Sequence, residues 1–277
     1  MAPENTYLTS QGNESERQAD AARIAEQSLT LNLHTEKFLK DLPFESSGTL
    51  IDFGAGTGGA HPVLVNYASH IIATEVEEKK LRMAEAYAQT KELNNKATFE
   101  YRLGGIAGLE LANESIDTIY GRLIWQHLDS PTRSSEMRAS RTALKRGGIF
   151  AGEDMDLLTW RLEPTTPTFD FFIDSLIKLY QKKGTEPRMG PKLTALCEGA
   201  GFEIIKVNTY AIPASGNDRF KRLHLGIFQA VGGGFVGTGM MTEEQFKNEF
   251  AQLTADIMDE SRTAHTPLVT QIAARKI

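Results

Sequence analysis

The residues best placed to do chemistry begin at Asp52, in the run Asp52-Phe-Gly54-Ala55-Gly56-Thr-Gly58-Gly59. Glycines let a chain turn tightly and bring its backbone close to a ligand. An apolar stretch, Leu50 to Phe53, leads into the run, so the turn follows a short buried strand and precedes a helix. Glu75 sits at the end of the next apolar stretch, Ile71 to Val76, about 20 residues further on. A carboxylate there can accept hydrogen bonds from both hydroxyls of a ribose. The combination points to a nucleoside site without choosing the ligand. A dinucleotide site reads G-x-G-x-x-G, whereas the order here is G-x-G-x-G-G. A P-loop would end in Gly-Lys-Ser/Thr, and this loop has no lysine.

Further candidates lie downstream. His127 follows the apolar stretch Ile116 to Tyr120. An imidazole accepts a proton near neutral pH, although a histidine there can equally bind backbone or cofactor. Glu153 and Asp154 close the stretch from Ile149 and could orient an amine or hydroxyl, or simply cap a strand end. Arg122 and Trp125 are candidates to line a pocket, with core packing an equal alternative for Trp125. His224 either helps cover an acceptor or belongs to an exposed amphipathic helix. The run Phe169 to Tyr180, with Phe171 and Phe172, is an apolar helix that could wall a bulky acceptor or pack a lid. His61 is read as a cap or a ligand contact rather than a catalytic group, and the single cysteine, Cys197, as core. No spacing of His, Cys, Asp and Glu suggests a metal, so none is expected.

These residues need a scaffold. The apolar patterns predict strands at 50–53, 71–76, 98–103, 116–120, 149–153, 202–210 and 268–273. They predict helices over 60–69, 77–93, 134–144, 169–180 and 192–200. Another spans 242–259, where Thr242 and Gln245 form a capping box. Residues 14–42 read as one long or two short helices. Residues 213–239 read as helical signal followed by a glycine-rich turn at Gly232-Gly233-Gly234, and 154–190 as less regular. Strands alternating with helices predict an α/β protein with a mostly parallel sheet. No repeat and no second compact domain is read.

The motifs resemble those of class I S-adenosylmethionine-dependent methyltransferases. The likeness is to the small-molecule group that includes ubiquinone/menaquinone-biosynthesis and antibiotic-biosynthesis enzymes. Asp52, Gly54, Gly56 and Gly58 match the family's (D/E)-x-G-x-G-x-G. Asp117, the run Arg122 to Leu128 and the turn Leu144-Lys-Arg-Gly-Gly also resemble its motifs, with Arg146 replacing the usual proline. The resemblance covers about residues 45–210. It implies a Rossmann-like, seven-stranded, mostly parallel sheet with helices on both faces, N-terminal helices and a helical lid or insertion. It implies S-adenosylmethionine as cofactor, held by Asp52, Gly54, Ala55, Gly56, Gly58, Glu75, Val76 and Arg122. Tyr7 would close over it. Gly105 and Ile106 stand where the family places an acid and an apolar neighbour near the adenine, and the acid is missing. A division into an N-terminal cap, 1–43, and a methyltransferase domain, 44–277, follows, with helical insertions at about 156–190 and 213–235. His127 and Glu153 become the catalytic candidates; Trp125, Asp154, Phe171, Phe172 and His224 become acceptor contacts.

Composition narrows the partners. Acidic residues outnumber basic ones, 36 to 30, for a net charge of −6, and there is no basic block. A phosphate-backbone partner usually needs one, so nucleic acid is not expected. No apolar run approaches the roughly 20 residues that span a bilayer. The N-terminus is polar and shows no secretory signal, so a cytoplasmic protein without membrane insertion is expected. The expected acceptor is a small, partly apolar or aromatic metabolite, and a homodimer is allowed. Three other readings stand beside this one: a cofactor-binding cyclase or binding module, a protein or RNA methyltransferase, and a nicotinamide enzyme.

Overall fold

Short strands rich in Ile, with Leu, Phe and Tyr, buried on both faces, organise the chain. The computed structural model describes residues 14–44, 48–215 and 219–277. In chain order the first half comprises α1 (Glu14–Leu39), β1 (Thr49–Phe53), α2 (His61–Leu64), β2 (His70–Glu75), α3 (Glu78–Thr90), β3 (Thr98–Leu103), β4 (Ile116–Arg122), α4 (Ser130–Ala143) and β5 (Leu144–Asp156). The second half comprises β6 (Arg161–Glu163), α5 (Pro167–Lys182), α6 (Met189–Gly199), β7 (Phe202–Tyr210), β8 (Pro213–Ala214), α7 (Arg219–Gly237), α8 (Glu243–Met258), β9 (Thr263–His265) and β10 (Leu268–Lys276).

Seven strands form the main sheet in the order β3-β2-β1-β4-β5-β10-β7. Neighbours are parallel except β10, which runs antiparallel to both β5 and β7. Successive side chains of a strand point to opposite faces, and the cores follow that alternation. Ile51, Ile72, Ile119 and Phe150 pack with Met137 of α4 and Leu193 of α6. Leu50, Ile71, Tyr120 and Ala151 pack on the other face with Phe38 of α1, Leu64 of α2 and Ala88 of α3. The chain leaves β1 toward β2 on one side, while β4 lies on the other. A crevice therefore opens at the carboxyl ends of β1 and β4, where the strand order reverses.

The second half builds a layer of its own. β6, β9 and β8 form a small antiparallel sheet. Phe169 and Phe172 of α5 pack with Phe228 and Phe235 of α7 and with Leu253 and Ile257 of α8. Leu31 of α1 joins this core. Residues 154–190, irregular by sequence, thus hold β6 and α5, whose partners β9, α7 and α8 come from later in the chain.

Several boundaries differ from the sequence pattern. Helix 60–69 is reduced to the single turn α2. Helix 134–144 begins earlier, at Ser130, because the Asp129 side chain accepts the backbone N–H of Thr132. Strand 149–153 extends to 144–156 by pairing with β10 over its second part. The triple glycine is not a turn: Gly232, Gly233 and Gly234 lie inside α7. Helix packing overrides the turn signal, since a Cβ at Gly232 would overlap the ring of Phe246 on α8. The capping box of α8 is present, with Thr242 Oγ1 accepting from Gln245 N at 3.1 Å and Gln245 Oε1 accepting from Thr242 N at 2.9 Å.

The two glycines are predicted to respond oppositely to alanine. Gly232→Ala forces apart α7 and α8 and should cost about 1–3 kcal/mol. Gly233 is exposed with nothing near its Cβ position, so Gly233→Ala should gain up to about 1 kcal/mol of helix propensity. Urea midpoints of the two variants read the difference.

Candidate active site

The crevice at the sheet's switch point is a cavity of about 500 Å³, a usual size for a small-molecule site. Its floor is the loop after β1. Gly54 and Gly56 adopt φ of 69° and 55°, a region that L side chains avoid. A Cβ at Gly54 would stand 2.6 Å from Ile124. Ala55 N donates to Thr74 O at 2.8 Å, which lashes the loop to β2.

Glu75, at the end of β2, completes the clamp. Its Oε2 accepts from Gly56 N at 3.0 Å; its Oε1 accepts from Val76 N at 2.8 Å and Glu77 N at 3.1 Å. Burial raises its pKa, countered by Lys80 and by the two backbone N–H groups. Asp52 Oδ2 lies 3.2 Å from His61 Nε2, with both side chains buried.

The far wall comes from α4. Glu136 is buried, and its Oε2 accepts from Ala107 N at 3.0 Å. Burial raises its pKa, opposed by the N–H groups of Ala107 and Ile106. A Cβ at Gly105 would overlap Glu136 Oε1. The carboxylate on this wall is therefore contributed by α4, and glycine at 105 leaves room for it. The roof is α1, through Ile24, Gln27, Ser28 and Leu31.

A buried polar network holds α1 in place. Arg122 Nη1 donates to Asn32 Oδ1 at 2.8 Å and Thr35 Oγ1 at 3.1 Å, and Asn32 Nδ2 donates to Gly59 O at 2.9 Å. Glu153 is fully buried. Its Oε1 accepts from Thr35 Oγ1 and from Tyr120 OH, both at 2.7 Å, and its Oε2 accepts from Gln271 Nε2 at 3.0 Å.

Asp52, Gly54, Ala55, Gly56, Glu75, Val76, Gly105, Arg122 and His127 line the cavity together. The remaining candidates are placed elsewhere. Gly58 shapes the turn behind the loop, its N donating to Ala55 O at 2.9 Å. Ile106 is core, as is Trp125, whose ring packs between Phe53 and Phe150. Glu153 is spent in the network above. Asp154 is fully buried beneath the turn after β4, accepting from Gln126 N at 3.0 Å and Met155 N at 2.9 Å; burial lifts its pKa to about 7. Phe171 is 43% exposed and Phe172 is lid core. His224 is buried against Trp160 and does not line the main cavity. Tyr7 lies outside the described residues.

The cavity also contains residues the motifs did not reveal: Glu136, Lys80, Asp129, Thr132 and the α1 side chains. The one signal for Glu136 is its position on the buried face of α4, with Met137 and Ser140, where an acid needs a partner. Among the described residues no group of three or more His, Cys, Asp or Glu could hold a metal, and no helix is long and apolar enough to cross a membrane.

Residues 51–152 match the sequence family described as methyltransferase domain. No curated protein matches the chain. Among solved structures, a putative methyltransferase of Bacillus halodurans C-125 is 16% identical, with 87% of this chain and 97% of that one covered and a TM-score of 0.60. The fold is that of the class I S-adenosylmethionine-dependent methyltransferases. Geranyl diphosphate C-methyltransferase of Streptomyces coelicolor A3(2), solved with Mg2+, geranyl diphosphate and S-adenosyl-L-homocysteine, is 12% identical over 97% of this chain and 86% of that one, with a TM-score of 0.53. The [4+2]-cyclase SpnF shares the class I methyltransferase-like fold at 15% identity, over 88% of this chain and 81% of that one, with a TM-score of 0.51.

The geometry gives Glu153 a structural task that can be measured. Glu153→Ala leaves three buried donors without their acceptor and should destabilise the protein by about 3 kcal/mol or more. Urea denaturation reads this without any substrate.

Proposed function

We propose that the protein is an S-adenosylmethionine-dependent methyltransferase acting on a small, partly apolar metabolite. The observation that carries this reading is the clamp between the Gly54-Ala55-Gly56 loop and Glu75, set at the switch point of this fold in a cavity of nucleoside size. A carboxylate offers about four acceptor positions. Backbone N–H groups fix Glu75 through three hydrogen bonds, which leaves capacity for a ribose hydroxyl.

The cofactor, when bound, supplies an electrophilic methyl group on a sulfonium. The chain's own task is then alignment and exclusion of water, which supply much of the rate in such a displacement. The loop and Glu75 hold the nucleoside end, while α1 covers it. His127 is the only imidazole lining the cavity among the described residues, and we assign it the acceptor's proton where the acceptor must lose one. The acceptor is of the quinone-like or secondary-metabolite kind implied by the motif resemblance. Support for a small acceptor also comes from the similarly folded enzyme solved with geranyl diphosphate. The [4+2]-cyclase of the same fold supports a second reading, in which cofactor is retained without methyl transfer.

Calorimetry with S-adenosylmethionine, S-adenosylhomocysteine and NAD(H) tests the cofactor. Micromolar binding of the first two is expected, weakened at least ten-fold by Glu75→Ala. Binding of NAD(H) alone would sink the proposal, and bound cofactor with no mass gain on any acceptor would favour the cyclase reading. With an acceptor identified, His127→Ala should lower kcat by about 10²- to 10⁴-fold. It should also remove the rise of rate with pH that an imidazole base produces. An unchanged profile would exclude His127 as base.

A further inference from the structure

Glu136 keeps only 7% of its surface exposed, yet its carboxylate is half used. Oε2 accepts from Ala107 N at 3.0 Å. Oε1 makes no hydrogen bond among the described residues, and it is not sealed in the core. The side chain lines the main cavity, and this oxygen faces its open space. A carboxylate so nearly shut away from water needs a donor at that oxygen.

The sheet places this oxygen beside the ribose clamp. β2 and β3 are parallel neighbours, with Glu75 opposite Leu103, and Gly104 N donates to Glu75 O at 2.9 Å. The backbones of Glu75 and Gly104 are therefore about 5 Å apart, and Gly105 comes next. A ribose held at Glu75 carries its base on the carbon beside the 2′-hydroxyl, so the base enters the adjoining strip of the cavity. That strip suits a flat ring. Val76, 56% exposed, gives it an apolar surface, and a Cβ at Gly104 would meet nothing within 4 Å. Val76, Gly104, Gly105 and Glu136 all line the same cavity. Adenine, the base of S-adenosylmethionine, offers acceptor ring nitrogens and a single donor group, its 6-amino group. An ionised carboxylate only accepts, so the two can pair in one way.

We propose that Glu136 reads the base of the bound nucleoside, its Oε1 accepting from the 6-amino group of adenine. The proposal rests on the S-adenosylmethionine reading above. A residue of α4, rather than one at the end of β3, then decides which nucleoside the site takes. A 6-oxo base would bring a carbonyl oxygen against the carboxylate and leave both acceptors without a donor. Glu136 binds and selects, and it takes no part in the methyl step.

Calorimetry on the full chain compares S-adenosylhomocysteine with S-inosylhomocysteine, its 6-oxo counterpart, and adenosine with inosine. The 6-amino member of each pair should bind at least about ten-fold more tightly. Glu136→Gln keeps the side chain's volume: its carbonyl takes the Ala107 N–H, and its NH2 group puts a donor where Oε1 was an acceptor. The preference should then reverse, an outcome that a merely structural role for Glu136 does not produce. A second variant moves the acid. A Cβ at Gly105 would stand 2.8 Å from Glu136 Cδ, and Gly105 has an extended backbone, φ −93° and ψ 169°, open to any residue. Glu136→Ala should therefore lose the preference, and Gly105→Asp added to it should restore it. This pair decides the matter if Glu136→Gln does not fold, as urea midpoints report. Equal affinity for the 6-amino and 6-oxo forms, or an unchanged preference in folded Glu136→Gln, would overturn the proposal; tight binding of both homocysteine conjugates would still leave the cofactor reading standing. If adenosine is preferred over inosine but S-adenosylhomocysteine does not bind, base selection by Glu136 stands and the methyltransferase reading falls. No binding of any of the four at millimolar concentration overturns both.

Discussion

A carboxylate shut away from water must find its hydrogen bonds inside the protein, and Glu153 finds them on three other elements. Thr35 reaches it from α1, Tyr120 from β4 and Gln271 from β10. Leaving any of those donors unpaired in a low-dielectric interior is costly. The network therefore fixes more than one side chain. It sets the seat of α1 on the sheet, and α1 is the roof of the cavity. Arg122, bonded to Asn32 and Thr35, links the same helix to the cavity's lining. Cover and floor are thus joined by polar contacts that hold only in one register.

The floor has its own logic. Parallel strands β1, β2 and β4 end side by side, so the loop after β1 and the acid after β2 meet although 19 residues separate Gly56 from Glu75. Glycine geometry lets the loop turn back on itself, and its backbone N–H then points to Glu75. The opposite wall reaches a similar chemistry by another route. Glu136 of α4 occupies the space beside Gly105, so the carboxylate stands on the helix and the strand-end loop has no side chain there.

The lid shows how apolar and polar demands combine. Its aromatic side chains bury one another, with Phe172 in contact with Phe228, Phe235, Phe246 and Phe250. That core draws α5, α7 and α8 together from separate stretches of the chain, and Gly232 gives the ring of Phe246 its place. Where the lid meets α1 the packing is less complete. There Trp160 satisfies one nitrogen of His224 and leaves the other free.

Local pattern alone was enough for the parts of this protein that depend on neighbours in sequence. The strands of the parallel sheet, the glycine loop, Glu75 at the next strand end and the capping box of α8 were all legible. In each case the physical cause is local: a short continuous apolar run, positive φ at glycine, or a side chain reaching three residues along. What only the tertiary structure decided is what distant segments do to one another. The triple glycine signals a turn until Phe246 is packed against it. Phe172 looks like an acceptor wall until α7 and α8 surround it. By sequence Glu153 closes a strand like a catalytic acid, but Thr35, Tyr120 and Gln271 converge on it from elsewhere in the chain. Glu136 carries no motif, and only the fold brings it to Gly105. A side chain's neighbours determine whether it is buried, bonded or free, and those neighbours are chosen by the packing of the whole chain.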